Sequence, residues 1–418
     1  MYPTIAAPTP ASEAFVDQLT GYVERWMRRM QSQTERQGAP ADLKGPSRPR
    51  ELPEEVVWRS LLLCVLTRAR GVRDLWRSLV CQGYDSCDET VYERLDKAGT
   101  EPLELLFQQI TTLLTSWVQP LLEEQQWEPL APFASEVLAL DETVLDPVAR
   151  KLPQLRHCKK GAVELLPGKL AALLDVRRQL WRRIDYLPDT QQNCKVHARA
   201  MLKGLLTGTL LLFDLGYCGF EWLDELTTGK QWYVCRLREK TSYTVVHTFY
   251  EGDEVFDGLV WLGTHQAKAR YVVRLVRVRV GCCTHTYLTN VRNPTVLPVG
   301  DLMRLYARRW DIELAFLLLK EQLLLHLWWN SKLTGILQQI WACLIIAQLL
   351  QAMRMEIAAQ AHVDPFEVSM PLVVRAMPTL MASGQDPIAV CVQRGRQLDG
   401  RSKPVQSPAA SGARHCSS

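Results

Sequence analysis

Two short apolar runs each end on an aspartate: Val137-Leu138-Ala139-Leu140 before Asp141, and Thr209-Leu210-Leu211-Leu212-Phe213 before Asp214. Runs of this length without polar alternation suit strands buried on both faces, as parallel strands are. Between them, Lys169 to Val176 and Leu180 to Asp185 read as further strands and His197 to Leu206 as a helix. Strand, helix and strand in that order describe an α/β layer. If the two apolar strands are parallel neighbours, both carboxylates sit on one rim of the sheet, where α/β proteins place their sites.

The flanks differ from this centre. Glu13 to Gln37 has helical spacing, Gly38 to Pro53 is a Pro/Gly-rich linker, and Glu54 to Leu79, Glu89 to Lys97 and Pro102 to Leu122 are helical again. After a helix at Phe220 to Leu226 and a strand at Trp232 to Leu237, the chain turns β-rich, with strands expected at Tyr243 to Phe249, Val255 to Leu262, Arg270 to Val280 and Thr284 to Asn290. Arg270, Arg274, Arg277 and Arg279 among valines suggest one basic face there. Helical periodicity returns at Asp301 and runs to about Met355, after which Pro365, Pro371 and Pro378 interrupt it. From Gln393 the Gly/Ser/Pro/Arg-rich tail has no apolar pattern and reads as disordered.

With 418 residues, 47% of them hydrophobic and 22% charged, the chain is an ordinary globular protein with room for more than one core. Its net charge of +4 is too small to argue for a polyanionic partner. Locally, Lys151, Arg156, Lys159, Lys160, Lys169, Arg177, Arg178, Arg182, Arg183, Lys195, Arg199 and Lys203 form a basic stretch, either a surface for a polyanion or a solvated face. The twelve cysteines are scattered and read as reduced, cytoplasmic thiols. Cys283 with His285, or His157 with Cys158, offer two ligands each where structural zinc wants four. The uncharged stretch Leu333 to Met353 could span a bilayer by length, but Gln338, Gln339, Gln348 and Gln351 make it a buried helix instead, and Met1 to Ser12 has neither the basic nor the apolar part of an export signal.

The most specific pattern lies on the helix near Leu302. Tyr306, Arg309, Glu313 and Lys320 are three, four and seven residues apart, which on an ideal helix confines them to a stripe about 60° wide. An Arg309–Glu313 pair alone, at i,i+4, is worth only about 0.2–0.5 kcal/mol and needs no function. A Tyr and a Lys in the same register, on a helix otherwise lined by Leu305, Leu314, Phe316 and Leu318, call for a cleft or a ligand.

Tyr306-x2-Arg309-x3-Glu313-x6-Lys320 resembles, at every spacing, the Tyr-Arg-Glu-Lys signature of a group of bacterial insertion-sequence transposases that carry an Asp, Asp, Glu triad on a ribonuclease H-like fold. Phe213-Asp214-Leu215-Gly216-Tyr217 is similar to the segment with that family's second Asp, Leu140-Asp141-Glu142-Thr143 to the first, and Leu288-Thr289-Asn290 precedes the helix as it does there. The family usually has a small residue where this chain has Glu142, which leaves Asp146 as the alternative first acid.

The resemblance implies an α/β, ribonuclease H-like catalytic core interrupted by a β-rich insertion, with an all-helical N-terminal domain and a helical C-terminal region. On that reading a DNA-binding domain spans 1–125, the core 134–238 and 298–355, the insertion 239–297, the C-terminal helices 356–392 and a disordered tail 393–418. It implies metal-dependent cleavage at the ends of an insertion sequence and transfer of the 3′ ends to target DNA. Asp141, Asp214 and Glu313 would be the catalytic residues and the ligands of two magnesium ions, with manganese able to substitute. Hard divalent ions select such oxygen donors, and a metal pair suits in-line displacement at phosphorus. Arg309 and Lys320 would hold phosphates and Tyr306 the backbone beside the scissile bond. The partner is double-stranded DNA, both terminal inverted repeats and target, bound by a homodimer, with no membrane involved. Trp261 stands where some relatives stack a flipped base, though a core tryptophan fits there too. Arg68, Arg70, Arg73, Arg77 and Arg94 either touch phosphates or line a solvated helix face. The rival readings are a nuclease on the same fold and a catalytically inactive, transposon-derived DNA-binding protein.

Overall fold

The computed structural model describes residues 52–84, 86–124, 130–145, 168–264, 267–330 and 332–398. The expected helix at Glu13 to Gln37, Asp146, His157, Cys158 and the first four residues of the basic stretch lie outside the described residues. The described parts of Met1–Gln125 and Leu317–Lys403 form one compact unit, those of Gln126–Phe316 another.

The second unit is built on a ten-stranded, mostly antiparallel sheet. Its strands are β1 (Val137–Val144), β2 (Lys169–Asp175), β3 (Leu180–Leu187), β4 (Leu210–Phe213), β5 (Trp232–Arg236) and β6 (Tyr243–Glu251). They continue with β7 (Val255–Thr264), β8 (Ala267–Lys268), β9 (Val273–Val280) and β10 (Cys283–Thr289). The order across the sheet is β3-β2-β1-β4-β5-β10-β9-β7-β6, with β8 beside β7. Only β4 runs parallel to its neighbours, β1 on one side and β5 on the other. The apolar runs fill the sheet's centre because Leu138, Leu140, Leu211 and Phe213 are buried against Trp222, Leu223 and Leu226 of the Phe220–Thr228 helix.

From β1 the chain moves outward through β2 and β3, then returns to add β4 on β1's other side. Neighbouring strands whose connections leave in opposite directions open a crevice at their carboxyl ends. The residues read as an insertion do not stand apart, since β10 pairs with β5 and carries the same sheet on to β9, β7 and β6. The single basic face expected there is corrected by strand parity. Arg277 and Arg279 are exposed on one face, while Arg274 falls on the other, fully buried, with both nitrogens of its fork on the Asp257 carboxylate at 2.7 Å.

The first unit is helical over its described residues. The helix expected over Glu54 to Leu79 is two, Glu54–Leu66 and Val72–Cys81. Arg68 enters the left-handed region at φ 59°, and the Ala69 N–H bonds back to the Cys64 carbonyl, which ends the first helix as a C-cap does. Asp88–Ala98, Glu101–Glu124, Leu333–Ala361, Met370–Ala382 and Pro387–Leu398 follow. Gln393 to Leu398 is therefore helical, not part of a tail.

The Leu333–Ala361 helix is long and apolar enough to cross a membrane, but 67% of its apolar window is buried within the protein. Its amides explain why it is a core element. Gln338 Nε2 donates to the carbonyls of Leu95 and Gly99, Gln339 accepts from the Trp329 N–H, and Gln348 Nε2 donates to Thr111 Oγ1. Buried amides are tolerated when bonded in this way.

Candidate active site

Asp141 and Asp214 reach the same rim by register. β1 and β4 are parallel with Leu140 opposite Phe213, so the next residue on each is an aspartate. β4 ends there and β1 does not: Asp141 lies inside β1, still paired with Ala172 of β2, whereas an apolar run ending at Leu140 suggested the strand's end. Past Leu140, β1 thus keeps one neighbour, and the edge vacated by β4 is the crevice. Asp214 caps the turn Leu215–Tyr217 by position, yet its side chain makes no capping hydrogen bond and stays available.

Glu313 comes from the short helix Asp311–Leu317, which buried contacts fix to the sheet. The buried Asp311 carboxylate accepts from Gln179 Nε2 at 2.8 Å and from Arg308 Nε at 2.7 Å. Gln179, held at φ 58° in the turn between β2 and β3, also donates to the Val176 carbonyl. Phe316 packs on Trp181 of β3, ring centroids 5.2 Å apart.

Arg309 joins the acids. Its guanidinium donates to Glu313 Oε1 at 2.7 Å and lies 3.5 Å from Asp141 Oδ2. Burial pushes the Asp141 carboxyl up to about 6; its bond from the Glu142 N–H and the charge of Arg309 pull it down, and the charges of Glu313 and Asp214 push it up again. Three interacting carboxylates against one guanidinium leave surplus negative charge, and that is the environment a divalent cation relieves. The donors are all hard oxygens, which suits magnesium or manganese. Among the described residues no three His, Cys, Asp or Glu already form a metal cage.

Glu142, the departure from the family pattern, is taken up elsewhere: Lys169 Nζ donates to it at 2.6 Å and to the Gln192 carbonyl at 2.6 Å. The rest of the basic stretch is largely spent in the same way. Arg178 pairs with Asp175, Arg182 with Glu136, Arg183 with Asp185 and Arg199 with Glu225. Arg177 donates to the carbonyls of Leu130, Ala131 and Ala134. Arg182, Arg199 and Lys203 are nonetheless exposed, as a solvated face would have them, while Lys169, Arg177, Arg178 and Arg183 are drawn into the fold by partners that local charge counts cannot see.

The stripe also changes. Between Val299–Ala307 and Asp311–Leu317 the helix tightens to a 3-10 turn at Arg308–Trp310, and it widens to a π turn at Leu318–Gln322, so a constant 100° per residue does not hold along it. Tyr306, Arg309 and Glu313 belong to the sheet unit, Lys320 to the helical one. Tyr306 is 9% exposed and packs on Tyr287 at 5.1 Å, and its hydroxyl has no hydrogen-bond partner among the described residues. Tyr217, beside Asp214, is likewise buried with an unpartnered hydroxyl.

Trp261 is half-buried, donates to the Ala269 carbonyl at 2.7 Å and carries Lys268 Nζ 4.1 Å above its ring. His285 Nδ1 faces Arg236 at 3.1 Å. Of the N-terminal arginines, Arg77 pairs with Asp74 and Arg73 approaches Asp88, while Arg70, Arg73 and Arg77 are exposed. Sequence reasoning missed Asp311, although it stands at i,i+3 from Arg308, a legible pair.

The comparisons bear on the same rim. Residues 136–349, just over half of the chain, match the family described as "Transposase DDE domain". The match contains Asp141, Asp214 and Glu313. A protein of Sinorhizobium fredii (strain NBRC 101917 / NGR234) named "Putative transposase y4zB" is 25% identical over 151 residues, 35% of this chain. The alignment spans 42% of that relative's length. With the family's domain running from β1 through most of the Leu333–Ala361 helix, this chain belongs to the Transposase DDE domain family.

Proposed function

We propose that the chain is a transposase that cuts DNA at the ends of an insertion sequence and joins the freed 3′ ends to target DNA, with Asp141, Asp214 and Glu313 as its catalytic residues. The observation that supports this is that Asp141 and Asp214 follow paired positions of β1 and β4 while Arg309 bonds to Glu313 and lies 3.5 Å from Asp141. A ribonuclease H-like core is supported by the strand order β3-β2-β1-β4-β5, antiparallel through the first three strands and parallel from β1 to β5.

The three carboxylates would hold two divalent cations, which when bound activate the attacking oxygen and stabilise the leaving one. Asp141 and Asp214 offer donors from a rigid sheet rim, and Glu313 from a helix tethered by Asp311. Arg309 balances part of the acid charge in the free chain and offers phosphate a planar, two-pronged donor. Lys320 adds a point charge for phosphate, and Tyr306 a hydroxyl for the backbone near the scissile bond. Terminal inverted repeats and target DNA are the substrates, the helical unit contributes DNA contacts, a homodimer acts on the DNA, and the protein works in the cytoplasm.

The test is a plasmid assay with an element carrying inverted repeats. Asp214→Asn is expected to abolish cleavage and keep end binding, and the native chain to yield strand-transfer products. Cleavage retained by Asp214→Asn with magnesium would reject the assignment; cutting without joining would leave a nuclease.

A further inference from the structure

β6 is the last strand in the order of the sheet, with β7 on one side and no strand among the described residues on the other. Its outer edge therefore presents backbone N–H and C=O groups that no ladder takes up. β-branched and aromatic residues make it a strand, yet from Thr244 to Glu251 every residue is exposed, so neither of its faces belongs to the core. Val245, Val246, Phe249 and Tyr250 are 38–59% exposed. Edge strands are ordinarily guarded by charge, proline, bulges or a covering segment. β6 has two register shifts against β7, between Val245 and His247 and between Thr248 and Tyr250, but Tyr243 to Tyr250 contains no charged residue and no proline. Bulges bend a strand without removing its outward donors and acceptors, and an uncharged stretch of this composition favours pairing with another strand.

The flanks indicate which strand fits. Arg238, Glu239 and Lys240 precede β6, while Glu251, Asp253 and Glu254 close it and follow it, all of them exposed. One end is thus net basic and the other wholly acidic. A second copy laid antiparallel about a two-fold axis brings each basic end to the other copy's acidic end, whereas a parallel copy would oppose like charges. With the axis at His247, the midpoint of the strand, Lys240 faces Glu254 and Val245 faces Phe249, a β-branched and aromatic pair of the favourable kind.

We infer that β6 is a homodimer interface, at which two copies of the chain add their β6 strands antiparallel and continue one sheet across a two-fold axis. The inference gives the proposed homodimer its surface and rests on that part of the proposed function, not on the catalytic acids. One strand pair is a small interface, so the dimer dissociates in the micromolar range.

Sedimentation equilibrium of the full-length chain, with and without terminal-repeat DNA, tests this on the native protein, Val245→Lys, Lys240→Glu and the double variant Lys240→Glu/Glu254→Lys. The native chain should dimerise without DNA, and Val245→Lys, which puts a charge into the uncharged centre of the pair, should abolish the dimer. Lys240→Glu should weaken it roughly 3- to 30-fold, since it sets like charges opposite each other at both ends, and adding Glu254→Lys should restore it. Within one chain these two positions lie at opposite ends of a strand about 30 Å long, so rescue requires a second copy and a misfolded variant would not show it. A native chain monomeric through the micromolar range, a dimer indifferent to Val245→Lys, or a Lys240→Glu defect without rescue overturns the inference. A dimer that forms only on the DNA and ignores these substitutions also overturns it while leaving the proposed homodimer standing; a chain monomeric with and without DNA removes both.

Discussion

Asp141 is the residue at which folding and the proposed chemistry pull in opposite directions. Burial with Glu313 and Asp214 raises its carboxyl to about 6, above the ordinary value, so the charged form is disfavoured in the folded chain at neutral pH. Asp141→Asn is therefore expected to stabilise the cation-free protein at pH 7 by roughly 1–3 kcal/mol. The gain should shrink as pH falls through about 6 and vanish below about 4, where the native carboxyl is protonated in both states. Denaturant unfolding at pH 7 and pH 4 checks this; an Asn variant less stable at pH 7 contradicts it. Lys320→Ala is expected to weaken assembly on cleaved ends without unfolding the chain. The slope of log affinity against log salt should become shallower by about 0.9 when the one phosphate held by Lys320 is no longer neutralised, and an unchanged slope counts against that role. The candidate acids were legible in sequence because a carboxylate after an apolar run, or in a spaced helical motif, is a local pattern. The partners of Glu142 and Arg182 were not, since Lys169 and Glu136 are far away in the chain.

At the scale of elements, strand pattern carried more than helix pattern. Unalternated apolar runs implied strands buried on both faces at β1 and β4, and the parallel pairing that the sequence left as a condition is what the sheet has. The helical stripe was legible only as spacing. A 3-10 turn and a π turn have no counterpart in the spacing of residue types, and they re-aim Arg309 and Lys320 relative to an ideal helix. Arg274 was misassigned for a similar reason, the parity of arginine along β9 being easy to overlook among valines. The tether of the Glu313 helix yields its own expectation. Asp311→Ala removes the acceptor of buried Gln179 and half-buried Arg308, so a loss of about 1–3 kcal/mol is expected. Cleavage should fall further than DNA binding, because Glu313 loses its support. Cleavage and binding reduced in equal proportion would mean that the tether matters only for folding.

For the whole molecule, what composition established was modest: a globular chain with more than one core. That helices from both ends of the sequence make up one unit was not readable, since the bonds responsible, such as Gln338 to Leu95 and Trp117 to Glu356, join residues more than two hundred positions apart. These amides also decide between a core helix and a membrane span for Leu333–Ala361, which hydropathy alone leaves open. What unites sheet rim, tethered helix and family match is the claim that Asp141, Asp214 and Glu313 work as one cation-holding group. Crystals of the full chain soaked in manganese test it most directly. Anomalous peaks bounded by oxygens of all three carboxylates, at about 2.0–2.2 Å, are the expected result. Manganese bound elsewhere, with the three acids turned away from one another, would contradict it.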